Sequence, residues 1–310
     1  MTEDRSLPAE SKLVQTLLAG HKAVTAEITP PLSASASDLT EKALPLKGVV
    51  DAVNVTDGAS ARSHMSNVVA ASLLVQNGIE PILQFTCRDR NRIALQSDLL
   101  GAGAMGVHNI LVLGGDDPKQ GDQPDAKPVF DLNTTQVISM AHQMCVEGTI
   151  LSGREIAHPP AVFIGAADMP MDPPADWKPD RLMEKVNAGA RFMQTQFCFD
   201  MDVLRRYVGR LRDAGATEKV HYLVGIGPIS SAKSAVWMRD NLFGVVMPDD
   251  VIARLEGAED QKAEGRKLCA EQIQEIMSID GVAGVHIMAI RQEDAIPEIL
   301  AAAGAGPKHR

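Results

Sequence analysis

Ala23-Val24-Thr25-Ala26-Glu27-Ile28-Thr29-Pro30-Pro31 is a short β-rich run that carries one carboxylate to its end and stops at two prolines. Proline has no N–H to give to a ladder, so the strand ends there and Glu27 sits at its rim. The pattern recurs along the chain. Runs rich in Val, Ile, Leu and Phe are predicted as strands over residues 48–58, 80–87, 109–116, 160–168, 192–200, 220–229 and 284–290, and most end in a polar or acidic residue. Between them lie stretches with apolar residues at helical spacing, such as Met65, Val68, Val69, Leu73 and Leu74. Eight β-runs alternating with amphipathic helices, without a composition break, predict an α/β fold, a single (β/α)8 barrel of the TIM type. An open doubly wound sheet is the weaker alternative, because no G-x-G-x-x-G follows the first strand.

The 310 residues suit one such barrel. One domain is expected over residues 1–310, with a short helical extension over about residues 1–20 and no C-terminal regulatory domain. A hydrophobic content of 45% with 23% charged residues supplies a large core. The net charge of −10 argues against general nucleic-acid binding, which needs a basic stripe. Cys87, Cys145, Cys198 and Cys269 are far apart and form no C-x-x-C pair, which fits reduced, packed thiols and a cytoplasmic protein. The N-terminus has no apolar signal region, and no run approaches the length of a membrane span. A homo-oligomer is expected on general grounds alone, and Met140, Met144, Met183 and Met193 read as core filler.

In a barrel the loops after the strands form the active face. The strand ends supply Glu27, Thr56, Gln84 with Thr86, Asp116, Asp168, Gln196 and Arg291. These are acids, amides and hydroxyls, without the His/Cys cluster a transition metal requires, so no metal is expected. No nucleophile elbow is present. The set suits hydrogen-bonding a heterocycle and protonating it. Residues 117–133, rich in Asp, Gly, Pro and Lys, form a connection longer than barrel closure needs, and such loops usually serve a site.

The residues Thr25 to Pro31, Thr86-Cys87 followed by Arg88-Asp89-Arg90-Asn91, the run Asn109 to Asp116, and Lys185-Val186-Asn187-Ala188-Gly189-Ala190 leading to Thr195-Gln196-Phe197 resemble the 5,10-methylenetetrahydrofolate reductase family. The likeness runs from about Ala23 to Leu300. It implies a flavin-containing barrel in which NADH or NADPH reduces FAD, and the reduced flavin passes hydride to the folate to give 5-methyltetrahydrofolate. It implies Glu27 as the general acid that helps open the five-membered ring, Asp116 between flavin and pterin, and Gln196 orienting substrate or nicotinamide. It further places Thr56, Asp57, His64, Gln84, Ala167, Asp168 and Lys185 along the FAD, and Arg291 near the carboxylated tail of the folate. Plainer readings stand beside these: His64 as a helix cap, Lys185 as an exposed helix lysine, and Arg88 to Arg92 as a salt-bridged rim.

The chain departs from the family pattern at Gln84, where many relatives have histidine, and at Gly114, where arginine or threonine is common. The loop over residues 168–176 lacks the aromatic and histidine residues that some members place against the flavin. Two alternatives keep the barrel: direct hydride transfer from nicotinamide to the folate without flavin, and a non-catalytic folate- or flavin-binding subunit of a larger complex. The choice between NADH and NADPH is not legible, since no dinucleotide fingerprint with its ribose-reading acid is present.

Overall fold

The computed structural model describes residues 5–306. Eight parallel strands close into a barrel in sequence order: β1 Ala23–Ile28, β2 Ala52–Val55, β3 Pro81–Thr86, β4 Asn109–Leu113, β5 Phe163–Asp168, β6 Phe192–Phe197, β7 His221–Ile226 and β8 Gly284–Ile287. The expected single (β/α)8 barrel is therefore the fold. A short helix, α1 Lys12–Leu18, precedes β1. Between the strands run α2 Ala36–Ala43, α3 Asn67–Gln76, α4 Arg92–Ala104, α5 Thr134–His142, α6 Asp180–Asn187, α7 Met201–Asp213, α8 Ala232–Asn241, α9 Asp249–Glu256 and α10 Gln261–Ser278, and α11 Ile296–Ala303 follows β8. The strands are shorter than the apolar runs that encode them. The second run loses its glycine-bounded ends, and the fifth begins only after Pro159 and Pro160.

Alternation along each strand separates two cores. Outward side chains pack against the helices in one large cluster, which takes in Met140, Met144 and Met193, with Met183 packed against it. Inward residues at the N-terminal end, Ala23, Ala52, Ile82, Leu111, Phe163, Phe192 and Leu223, form a second cluster with Leu13, Val14 and Leu17 of α1. The helical extension is thus a plug in the barrel floor. Ser11 caps α1 by accepting from Val14 N at 3.1 Å, and the Glu80 carboxylate takes the backbone N–H groups of Lys12 and Leu13 at 2.6 and 3.2 Å. An anion at the free N–H groups of a helix start offsets its macrodipole and fixes the plug on β3.

Two features shape the opposite, C-terminal end. In β6 the pairing with β7 skips a residue between Gln194 and Phe197. Gly225 N donates to Thr195 Oγ1 at 2.8 Å across this bulge, and a Cβ on Gly225 would lie 2.1 Å from the Thr195 carbonyl oxygen, so the bulge requires glycine opposite it. The bulge turns Gln196 onto the rim. Behind the end of β5, Asp168 accepts from the hydroxyls of Tyr207 and Tyr222 at 2.9 and 2.8 Å, and Lys185 donates to the Ala167 carbonyl at 2.7 Å. Burial, then the neighbouring carboxylate, pushes both phenols above their ordinary range, and burial lowers the proton affinity of Lys185. All four cysteines are buried and unpaired; burial pushes Cys145, Cys198 and Cys269 up to about 12, which makes them inert thiols. Among the described residues, no helix is long and apolar enough to cross a membrane.

These packing relations yield two tests of stability. Leu13→Ala is expected to lower the unfolding free energy by about 2–5 kcal/mol, read from urea titrations, because the barrel floor cannot collapse around the lost side chain. Raised phenol pKa values mean that the unfolded chain releases those protons first as pH rises. The contribution of the Asp168 cluster is therefore complete below about pH 10 and declines above it. Urea midpoints at about pH 8 and about pH 11 should differ more in the wild type than in Tyr207→Phe, and an equal difference would remove this linkage.

Candidate active site

Glu27 is the fifth residue of β1 and its side chain is 22% exposed at the mouth of the barrel. Inward alternation from Ala23 through Thr25 brings it there. Gln84 Nε2 donates to Glu27 Oε2 at 2.7 Å, and His286 Nε2 lies 3.7 Å from the same oxygen. Beneath the carboxylate a buried layer of neutral and basic polar groups crosses the barrel. Asn54 Nδ2 donates to Gln194 Oε1 at 2.6 Å, and Gln194 Nε2 donates to Thr25 Oγ1 at 3.0 Å and to Asn54 Oδ1 at 3.1 Å. His286 Nδ1 is 3.0 Å from Thr25 Oγ1. These contacts satisfy the layer internally, so it forms a rigid shelf under the mouth.

Other residues expected at the site stand around this centre. Thr56, the residue just after β2, has a buried hydroxyl with no partner. Buried polar atoms are normally paired, so an orphan facing a barrel mouth marks a place where a ligand can bond. Asp116, exposed after β4, accepts from Ser60 N at 2.8 Å. Gln196 donates to the Phe243 carbonyl at 3.2 Å and accepts from Phe197 N at 3.0 Å, which spreads its amide across the rim. Ala167 ends the inward face of β5 with a small side chain. Arg291 is exposed just after β8 in the left-handed region at φ 58°. His64 lies away from the carboxylate, in a cleft of about 320 Å³ that also involves Arg62, Asn67, Arg88 and Asp122. It caps no helix: Ser66 holds the position before α3.

Asp57, Asp168 and Lys185 are engaged within the protein. Asp57 Oδ2 accepts from Thr86 N and Oγ1, both at 2.8 Å, and pairs with Arg90. Asp168 turns to the two tyrosines on the helix side of β5, and Lys185 is held there as well rather than standing as an exposed helix lysine. The arginine cluster is a rim of ion pairs, with Arg90 on Asp98 at 3.1 Å and Arg92 on Asp131 at 2.8 Å. Hydrogen bonds from Arg92 hold the Asp131 carboxyl at about 2. Arg88 goes further than a rim charge: it is buried and donates to the carbonyls of Gly58 and Asp116, tying the β2 and β4 loops together. Gly121 touches the same junction, since a Cβ there would lie 1.8 Å from the Ala61 carbonyl oxygen.

His286 and Gln194 were not among the residues expected at the site, and Arg88 was expected only as part of a salt-bridged rim. For His286 the available signal was a lone polar residue at the inward position of an apolar strand, and for Gln194 an amide at an inward position below Gln196. Nothing local marked Phe243, which reaches the rim because the segment after α8 returns and pairs through Val246 with Cys198. Leu32, Phe130, Met169, Phe243 and Ile290 are all exposed on loops of this face. The arrangement offers a carboxyl at the centre, amides and a hydroxyl around it, and apolar groups at the edge. It is fitted to bind a flat polar heterocycle and to exchange a proton with it.

Comparison with known proteins gives the same direction. The chain is 27% identical over 248 residues to a probable methylenetetrahydrofolate reductase (NADPH) of Caenorhabditis elegans, covering 77% of this chain and 34% of that protein. It is 26% identical over 260 residues to the 5,10-methylenetetrahydrofolate reductase of Salmonella typhimurium, covering 82% and 81%. Among solved structures, an uncharacterized protein from Clostridium thermocellum that binds two copies of 5-methyl-5,6,7,8-tetrahydrofolic acid superposes with a TM-score of 0.62 at 14% identity, over 95% of this chain and 98% of that one, a likeness of fold. The family model described as methylenetetrahydrofolate reductase matches residues 12–304, and the chain belongs to that family.

Proposed function

We propose that the chain reduces 5,10-methylenetetrahydrofolate to 5-methyltetrahydrofolate with NADH or NADPH, and that Glu27 is its general acid. The observation that carries this reading is the Glu27 carboxyl, held at the barrel mouth by Gln84 at 2.7 Å in a chain of this family. In the substrate a methylene carbon bridges N5 and N10. Breaking its bond to N10 requires a proton on that nitrogen and leaves an N5 iminium carbon that accepts hydride. Glu27 gives the proton; Asp116, fixed by Ser60 N, faces the resulting cation with negative charge. Gln196 orients the ring system through its two-faced amide, and Arg291 meets the carboxylated tail.

FAD fits the mouth at its ring end. Thr56 offers an unpaired buried hydroxyl, Gln84 and Asp116 offer polar edges, and Ala167 leaves room. Bound there, FAD would accept hydride from the nicotinamide and supply it to the folate. A second reading, direct transfer from nicotinamide, draws support from one observation: Asp168 and Lys185, which the family likeness assigns to FAD, are spent on Tyr207, Tyr222 and the Ala167 carbonyl. A non-catalytic binding subunit is disfavoured, since Glu27, Asp116 and Gln196 are all present on one face.

Two measurements separate these readings. Glu27→Gln should lower folate reduction by roughly 100-fold or more, the range for loss of a general acid. Near wild-type turnover in that variant would refute the assignment. An absorption spectrum of the purified protein, taken anaerobically before and after NADH, should show a flavin band that bleaches if FAD is used. A colourless protein that FAD cannot reconstitute, yet which oxidises NADH when folate is present, would instead establish direct transfer.

A further inference from the structure

His286 is buried in the barrel, with only 3% of its side chain exposed, and is the one basic side chain among the described residues in ion-pair reach of Glu27. Its ring sits between two fixed points. Nδ1 lies 3.0 Å from Thr25 Oγ1 and 3.3 Å from Gln194 Nε2, and Nε2 lies 3.7 Å from Glu27 Oε2. Hydrogen accounting assigns the ring proton. Gln194 Nε2 has two hydrogens and nearer acceptors in Thr25 Oγ1 and Asn54 Oδ1. The Thr25 hydroxyl, already an acceptor from Gln194, has one hydrogen of its own, and His286 Nδ1 is closer to it than the Val285 carbonyl at 3.3 Å. Thr25 therefore donates to Nδ1, and the neutral ring carries its proton on Nε2, aimed at Glu27.

We propose that His286 is a positioning residue for the general acid: Gln84 holds the Glu27 carboxyl by Oε2, His286 faces the same oxygen, and Oε1 is left as the oxygen that delivers the proton. Gln84 Nε2 and His286 Nε2 both converge on Oε2 and neither lies on Oε1. When Glu27 gives up its proton, charge develops on the carboxylate beside two N–H donors already in place. At 3.7 Å His286 Nε2 makes no hydrogen bond to Oε2 but stands beside the oxygen on which that charge develops. Facing the pair from β2, β3 and β6 are Asn54, Gln84 and Gln194, all neutral. At the exit of β1, Lys42 pairs with Glu293 at 3.0 Å, and Asp116 is held by Ser60 N. Removing His286 takes away one of the two N–H groups that face Oε2 and so part of the stabilisation of the developing carboxylate.

This inference rests on the proposed role of Glu27, but its first test does not. Infrared difference titration of the apoprotein, with Glu27→Gln subtracted to isolate the carboxyl signal, should give a Glu27 midpoint at higher pH in His286→Asn than in the wild type. Thr25→Val, which removes the hydroxyl that fixes the ring, should move it in the same direction. Circular dichroism and thermal unfolding check that each variant is folded. In turnover with methylenetetrahydrofolate and NADH, His286→Asn should lower kcat by ~10- to 100-fold with little change in KM, and shift the alkaline limb of the pH profile upward. His286→Gln, whose longer side chain carries its amide N–H out toward the Nε2 position that the Asn amide does not reach, should recover part of the rate. An unchanged midpoint in both folded variants would overturn the proposal. If the wild type formed no methyltetrahydrofolate, the reductase reading would fail while the titration still decided whether His286 and Glu27 are coupled.

Discussion

Closure of the sheet between β1 and β8 is the constraint on which the site depends. Parallel pairing sets Thr25 opposite His286 and Ala26 opposite Ile287. Once that register is fixed, the two-residue period of β1 places Glu27 one step above the polar layer and on the same inward face. A slip of one residue would turn Thr25 and Glu27 into the helix-packed core and bring Ala26 to the mouth. The apolar plug under the floor guards against that slip, since Ala23 must meet Leu13, Val14 and Leu17 below while Thr25 meets Gln194 above.

The division of the interior follows from this. Its lower part is dry and aromatic, with Phe163 and Phe192 stacked at 4.9 Å. Its middle is polar and linked by mutual hydrogen bonds, and its top opens to solvent. A polar shelf in a barrel costs desolvation, which its mutual hydrogen bonds offset. In return the shelf gives the carboxyl above it a fixed floor. The loops add a second level of order. The β2 and β4 loops are locked by Arg88 and Asp122, and among the described residues the non-glycine positions with positive φ, Ser60, Ala61, Phe130 and Arg291, all lie on loops of the C-terminal face. Strain of this kind concentrates where surrounding contacts hold a shape needed for binding.

Much of this was legible in the chain itself. Eight apolar runs at regular spacing gave the barrel, and Pro30-Pro31 marked where β1 must stop, so Glu27 could be placed at a rim without a structure. Asp116 and Gln196 were legible for the same reason. Orientation was less so. Asp168 ends its strand like the others, but strand parity points it outward to Tyr207 and Tyr222, partners that lie far along the chain. Lys185 follows it, because α6 packs behind β5. The bulge in β6 was invisible, as it depends on Gly225 of the neighbouring strand having no Cβ to clash with the Thr195 carbonyl. His286 was present as a lone polar residue in an apolar strand, and its meaning emerged only when closure set it beside β1.

The central claim is that this mouth turns methylenetetrahydrofolate into methyltetrahydrofolate at the expense of a nicotinamide. The direct measurement is chromatographic quantitation of both products after the purified protein is incubated anaerobically with NADH or NADPH and the folate. The account requires 5-methyltetrahydrofolate to appear in equal amount with the oxidised nicotinamide. Failure to form it with either nicotinamide, with and without added FAD, would contradict the account.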